Sequence, residues 1–438
     1  MEPYNSYKDS GVEWIGEVPS HWNICKLKHL SHIFGRIGFR GYNQTDLVGE
    51  GEGAITLSPS NMQNGKMNYD KCSYLSWYKY NESPEIKIYD GDILFVKTGS
   101  TFGKVSYVAN LPMEATINPQ IVVFKNIKGS NKYLYYLLSN EIVQRQVSLT
   151  VGGSTIPTLS QENILNYVVP VAPKEEQDAI ASYLDKKCSE IDNVISAQQK
   201  RIALLQELKQ SVITHAVTKG LNPNVEMKDS GVEWIGEVPI TWEVMKTSLA
   251  FKGIGSGTTP STSKKEYYDE DGKYWLQTGD LNDGIILDTC KKVSDIAIKV
   301  CNLKFYPKDS VVIAMYGATI GKVGILGIKT ATNQACCVLP ANKHMIAKYT
   351  FYEFLACKPA LLVSAIGGGQ PNISQDTIRK QKIAVPPIED QKSIADYLDK
   401  KCVTIDSSIS KAQYQVELLQ EYKQSLITEV VTGKRKVS

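Results

Sequence analysis

Residues Lys8–Pro19 read KDSGVEWIGEVP, and residues Lys228–Pro239 read the same twelve letters. After two intervening residues each copy is followed by a tryptophan, Trp22 or Trp242, so four of the six tryptophans (with Trp14 and Trp234) lie in these two stretches. Such self-similarity means that one structural plan is used more than once. A second repeat agrees. EEQDAIASYLDKKCSEID from Glu175 returns as EDQKSIADYLDKKCVTID from Glu389, and LLQELKQSVIT (Leu204–Thr214) returns as LLQEYKQSLIT (Leu418–Thr428). The first repeat is offset by 220 residues and the second by 214, and the letters between them diverge. The chain therefore reads constant–variable–constant, twice. At about 150 residues per domain, a 438-residue chain is several packing units. Its 42% hydrophobic and 22% charged residues are ordinary globular values.

The second constant block has helical periodicity. Leu184, Cys188, Ile191, Ile195, Gln198, Ile202 and Leu205 step by four and three, the seam of a coiled coil, and Leu398, Cys402, Ile405, Ile409, Ala412, Val416 and Leu419 repeat the register. Neither stretch meets Gly before Gly220 and Gly433. Each is a rod of roughly 60 Å at about 1.5 Å per residue. Prolines 170, 173, 386 and 387 precede the rods, and Glu175-Glu176 and Glu389-Asp390 suit helix N-termini. Two matching seams in one chain most economically pack on each other, antiparallel about a pseudo-two-fold. The alternative is two amphipathic helices on separate cores.

The variable segments read as mixed and globular. In the first, Asp92–Val108 (DILFVKTGSTFGKVSYV) predicts two strands around a Gly-rich turn, 120–124 another strand, and Asn131–Leu149 a helix ended by GGST at 152. In the second, Asp309–Leu326 (DSVVIAMYGATIGKVGIL), then 334–339, then a helix from about 346 to 366 broken by GGG at 367, give the same order. The fold class is α+β, used twice: two β-rich domains in tandem, separated and joined by two long helices.

Charge is unevenly placed. The chain totals +3, but residues 22–173 carry +3 and 242–387 carry +6, the helical blocks 174–220 and 388–438 are neutral, and 1–21 and 221–241 carry −3 each. Positive charge sits in the two variable modules, compatible with phosphate contact. Two divergent modules held apart by neutral rods suit the reading of two separated DNA half-sites. A 60 Å rod corresponds to about 18 base pairs.

Catalytic chemistry is missing. GSTFGK (Gly99–Lys104) and GATIGK (Gly317–Lys322) are one residue short of a phosphate loop, and Val105 and Val323 replace its Ser/Thr, so a strand-to-strand turn is the better reading. Asn118-Pro119-Gln120-Ile121 begins like an amino-methyltransferase motif but lacks the second proline and the aromatic residue. The five histidines (21, 29, 32, 215, 344) form no zinc-type pair with glutamate. Nine cysteines, an odd count without CxxC, support neither a disulfide framework nor a zinc site. No run of about 18 apolar residues exists and MEPYNSYKDSGVEW is not a signal pattern, so a cytoplasmic location with reduced thiols is expected.

The KDSGVEWIGEVPxxW segment, the second module's GSGTTPSTSKKEYY…YWLQTGDLNDG…GATIGKVG…TNQACC and the IxxxPxxEQ-type lead-in to YLDKKCxxID resemble the specificity subunit of type I restriction–modification enzymes, over essentially the whole chain. The resemblance implies two target recognition domains, each reading half of a bipartite site in double-stranded DNA, and two helices forming an antiparallel coiled-coil spacer. It also implies that the helices dock two methyltransferase (modification) subunits, joined for restriction by nuclease–translocase subunits. Those partners would use S-adenosylmethionine, ATP and magnesium; this chain would be non-catalytic, with no cofactor or metal of its own. The expected division is 1–21 repeated segment, 22–173 first recognition domain, 174–220 central helix, 221–241 repeated connector, 242–387 second recognition domain, 388–438 distal helix. A stand-alone bipartite binder, repressor-like, is the alternative; a self-sufficient methyltransferase or nuclease lacks its motifs.

Candidate DNA contacts are chosen by side-chain type. In the first module GRIGFRGYNQ offers Arg36, Arg40, Asn43 and Gln44, types that read guanine or adenine edges, and Lys97, Thr98, Ser100, Thr101 and Lys104 suit phosphate. In the second the candidates are Ser256, Thr258, Thr259, Lys264, Lys265, Gln277, Tyr316, Thr319 and Lys322. Solvated loop residues are the competing reading for each. The tryptophans at 14, 22, 234 and 242 are expected to pack each module onto its helix, and the seam residues to be core.

Overall fold

A computed structural model describes residues 3–151, 157–363 and 372–437. The glycine runs expected to break the module helices at 152 and 367 lie outside these residues. The chain forms two compact units, Met1–Gln198 with Tyr414–Ser438, and Gln199–Gln413. The fold is α+β in both, and among the described residues no helix is long and apolar enough to cross a membrane.

Each unit is built on the same plan. In the first, Ile93–Val96 and Val105–Tyr107 pair antiparallel around the Gly-rich turn, with Ile121–Lys125 on the other side and His32–Gly35 beyond it. In the second, Val311–Ala314 and Val323–Leu326 pair around the equivalent turn, flanked by Cys336–Leu339 and then Gly255–Ser256. These central strands are buried on both faces, which is why they read as unbroken apolar runs rather than alternating ones. A smaller four-stranded sheet completes each module: Ala115–Ile117, Gly53–Leu57, Ser73–Ser76 and Leu47–Val48 in the first, Lys291–Val293, Tyr268–Leu276, Thr330–Thr332 and Phe305–Tyr306 in the second.

One helical expectation is corrected. Asn131–Leu149 is two helices, Asn131–Ser139 and Glu141–Thr150. Asn140 is extended (φ −79°, ψ 154°), caps the second helix by accepting from the Ile142 amide at 2.9 Å, and donates to Thr428 Oγ1 at 2.8 Å. An Asn side chain that satisfies the next helix's free N–H favours a break over continuation. The second module has alanine here (Ala356) and keeps one helix, Ala347–Val363.

The long helices are Lys174–Lys219 and Ile388–Val431, 46 and 44 residues. Both end on a glycine with positive φ, Gly220 (+76°) and Gly433 (+72°). At Gly433 any Cβ would also collide with Pro19, so the helix stop and the repeated segment fit each other only through glycine. At the helix starts, Trp22 Nε1 donates to Glu176 and Trp242 Nε1 to Asp390, both at 3.1 Å. Trp22 and Trp242 are fully buried, and Trp14 and Trp234 are half-buried. The tryptophans thus serve packing. In each repeated hairpin the serine hydroxyl (Ser10, Ser230) and the aspartate (Asp9, Asp229) accept from amides two residues ahead. That local bonding explains part of the identity.

Each helix gives its first half to one unit and its second half to the other. In the first unit Asp192 pairs with Lys423 at 2.6 Å, while Tyr183 lies against Arg435, so the two stretches run in opposite senses there. In the second unit Lys209 pairs with Asp406 at 2.7 Å. Asp192 and Asp406 are the same repeat position, as are Lys209 and Lys423: one ion pair is made twice. Being partly exposed, each contributes at most about 1 kcal/mol, so its effect is on register more than on stability. Seam residues Leu184, Cys188 and Ile191 join the first module's core, with Ile195 and Leu419 packed against it, and Leu398 and Cys402 join the second's. Ile405, Ile409 and Ala412 are buried, while Ile202, Leu205 and Val416 are half-buried.

The repeat also exposes one core exchange. Tyr133 donates to Pro170 O beside Leu137; its counterpart Tyr349 donates to Ala384 O beside Glu353. Pro170 has no N–H, whereas the Ala384 N–H points into the core, where Glu353 Oε1 accepts it at 2.8 Å. The donor that appears at 384 is matched by the acceptor that appears at 353. Glu353 is fully buried with no cation among its hydrogen-bond partners, and burial pushes its carboxyl up to about 8.

Candidate nucleic-acid interface

At one end of each central sheet, loops from distant parts of the module converge on an asparagine turn. In the first module Asn118 lies at this point. Its Oδ1 accepts the Gln120 amide N–H at 3.0 Å, and its Nδ2 donates to Gln120 Oε1 at 3.0 Å. The Gly-rich turn is alongside: the Lys97 amide donates to Gln120 O at 2.8 Å, and Gly99 donates to Pro157 O at 3.2 Å. Gly99 has φ +106°, and a Cβ there would sit 3.2 Å from Gln120 Nε2. Glycine therefore provides both the turn conformation and the space for the amide. Within this turn Ser100 and Thr101 are exposed and Lys97, Thr98 and Lys104 half-exposed, with Lys104 Nζ 3.4 Å from Pro59 O.

The second module repeats the geometry. Asn333 Oδ1 accepts the Ala335 N–H at 3.1 Å, Met315 N donates to Ala335 O at 2.8 Å, and Ile373 N to Met315 O at 2.7 Å. Gly257 N donates to Asn333 O at 3.1 Å, bringing in the 255–260 loop, and Asn333 N donates to Leu276 O at 2.9 Å, bringing in Gln277. Exposed Gln334 accepts from Thr259 Oγ1. Both Gly-rich turns connect antiparallel strands directly, with no helix behind them to form a phosphate loop.

The candidates divide accordingly. Ser256, Thr258, Thr259 and Gln277 lie on the two stretches bonded to Asn333, while Tyr316, Thr319 and Lys322 lie in the Gly-rich turn, with Tyr316 bridged to Asn372. The Thr258 carbonyl accepts from Trp275 Nε1 at 3.1 Å, and Gln277 opens a 3-10 turn whose Asp280 caps its amide at 2.8 Å. Lys264 and Lys265 stand apart on a neighbouring 3-10 turn, Lys264 donating to Tyr267 Oη at 3.2 Å. In the first module Arg36 is turned inward. It is 5% exposed, lies 5.2 Å from the Tyr42 ring and donates to Ile117 O, Thr116 Oγ1 and Arg40 O, and burial lowers its pKa. Its guanidinium braces the strand that leads into Asn118. Arg40 pairs with Glu85 at 3.4 Å. Asn43 spends its Oδ1 on the Thr45 amide at 2.9 Å, and Gln44 is exposed.

Gln120 and Gln334 were not among the candidates. The available signal was positional: an exposed glutamine stands between the turn asparagine and a buried strand in both modules, two residues after Asn118 and one after Asn333. The arrangement offers amides, hydroxyls and lysines on exposed and half-exposed loops. Among the described residues no three His, Cys, Asp or Glu side chains gather as a metal site. Such a surface suits hydrogen bonding to base edges and phosphates.

The profile of the Type I restriction modification DNA specificity domain matches the chain twice, over residues 41–204 and 239–415. A putative type I restriction enzyme MjaX specificity subunit of Methanocaldococcus jannaschii is 26% identical over 435 residues, covering 97% of this chain and 96% of that protein. The MjaVIII specificity subunit of the same organism is 25% identical over 381 residues, 81% of each. A solved structure, titled for complex assembly and conformational transition of the type I R-M system, superposes with a TM-score of 0.72 at 15% identity, covering 95% of this chain and 99% of that one. This last likeness is one of fold.

Proposed function

Because the chain belongs to the type I restriction–modification DNA specificity family, we propose that each module reads one half of a bipartite site in double-stranded DNA, as the non-catalytic recognition subunit of a modification complex. Residues 22–173 and 242–387 are the two readers in this proposal. Helices 174–220 and 388–438 fix the gap between half-sites and dock two methyltransferase subunits, and 1–21 and 221–241 are connectors. S-adenosylmethionine, and ATP with magnesium where nuclease–translocase subunits join, act in those partners. The observation that carries the proposal is the convergence of polar loops on Asn118 and again on Asn333, twice in one family-matched chain.

The test is exchange. A chain whose residues 242–387 are replaced by another family member's module, co-expressed with its modification subunits, should methylate a motif altered in one half only. A motif changed in both halves defeats the two-reader proposal. Binding of the isolated chain to a bipartite site without any stable modification complex favours the repressor-like alternative.

Docking has its own support. Leu204 and Leu208 are 63% and 50% exposed, and their repeat counterparts Leu418 and Tyr422 are 44% and 50% exposed. An apolar pair at i, i+4 on a solvent face, present twice, suits two identical partners. Leu204→Asp with Leu418→Asp should weaken copurification of the modification subunit by tenfold or more, since each buried leucine contributes about 1.5–3 kcal/mol. Unchanged copurification of a folded double variant sinks this assignment.

A further inference from the structure

Of the exposed polar groups around the two asparagine turns, Gln120 has the orientation most fully determined by its neighbours. Asn118 Oδ1 takes a backbone N–H, so its Nδ2 is left to donate, and it donates to Gln120 Oε1. That fixes which end of the Gln120 amide is which. Its oxygen is tied back into the turn, and its NH2 group lies by Gly99, in the turn that carries Lys97, Ser100 and Thr101. In the second module the position equivalent to Gln120 is Ala335, and the neighbouring Gln334 has its oxygen held by Thr259 Oγ1 instead.

We propose that Gln120 is a specificity-determining residue of the first module, donating its side-chain NH2 to an acceptor on a base edge, with Asn118 as its positioning residue. The inference rests on the two-reader proposal above and deepens it. A side chain held before binding loses little entropy on contact, which is what discrimination between bases needs. A donor in this position favours the acceptor atoms N7 or O6 of guanine, N7 of adenine or O4 of thymine, and rejects an amino group presented in their place. Reversing the amide reverses the preference.

The experiment uses the full chain in complex with its modification subunits. It reads the methylated motif by sequencing and the binding of duplexes varied one base pair at a time. Gln120→Ala should reduce discrimination about tenfold at one base pair of the first module's half-site and leave the other half and the gap unchanged. Gln120→Glu keeps the oxygen that Asn118 holds but turns an acceptor outward, so it should shift preference at that base pair toward one presenting an amino group. Asn118→Asp offers Gln120 an acceptor where it had a donor, flips the amide, and should shift preference in the same direction as Gln120→Glu. A steric or stability role for Asn118 would not predict that shift. The inference is overturned if folded Gln120→Ala and Gln120→Glu complexes keep the parental motif at every position. It is also overturned if they lose affinity equally for all duplexes, which would make Gln120 a backbone contact. If the parental complex reads no bipartite motif, the two-reader proposal itself falls and takes this inference with it.

Discussion

At pH 7 the Glu353→Gln variant should withstand urea better than the parental chain by up to about 3 kcal/mol, since a tenfold change in an ionisation constant is worth about 1.4 kcal/mol. Gln retains the acceptor for the Ala384 N–H, and its NH2 can donate to Tyr349 Oη, whose own hydrogen goes to Ala384 O. Below pH 4.5, the ordinary value for this carboxyl, it is neutral folded or unfolded, and the two proteins should match. Above it the unfolded carboxyl ionises while the buried one keeps its proton to about pH 8, so parental stability should fall across that window and level off beyond it. The variant should lack this slope. Urea unfolding of the second unit across the window checks it, and parallel curves for the two proteins would refute it. Glu353→Leu should cost about 1–3 kcal/mol by stranding the Ala384 N–H, and adding Ala384→Pro, the first module's own pairing, should recover most of the loss.

The tryptophans that follow the repeats should give losses as large. Trp22→Ala and Trp242→Ala each remove a fully buried ring at the joint between repeated segment, module and helix. Each should destabilise its own unit by about 3–5 kcal/mol. Trp242→Phe should cost less, losing mainly the bond to Asp390. Denaturation in which the Ala variants unfold with the parental chain would show that these joints do not hold the units together.

Much of this architecture was legible because duplication gives each inference a second trial. The strands around the Gly-rich turns stand out as apolar runs between glycines, and the long helices as seams stepping by four and three, closed by Gly220 and Gly433. The break at Asn140 was not legible, because it depends on an Asn side chain reaching Thr428, far along the chain. Arg36 has the chemistry of a base reader, but the acceptors on Thr116 and Ile117 that turn it inward belong to a strand far along the chain, invisible in GRIGFRGYNQ. Gln120 was passed over for the opposite reason. The letters Asn118-Pro119-Gln120-Ile121 resemble a catalytic motif, and the hydrogen bonds that orient Gln120 cross a turn no periodicity announces.

The division of each long helix between two units bears on how the protein is born. The second unit is one uninterrupted stretch, Gln199–Gln413, and can close while the ribosome is still working. The first unit needs Tyr414–Ser438 as well, so it must wait until that later stretch has left the ribosome. Until then the face of Trp22 and Pro19 that receives Gly433 stays open, and the nascent chain holds one finished half and one unfinished half. The module made first is the one completed last.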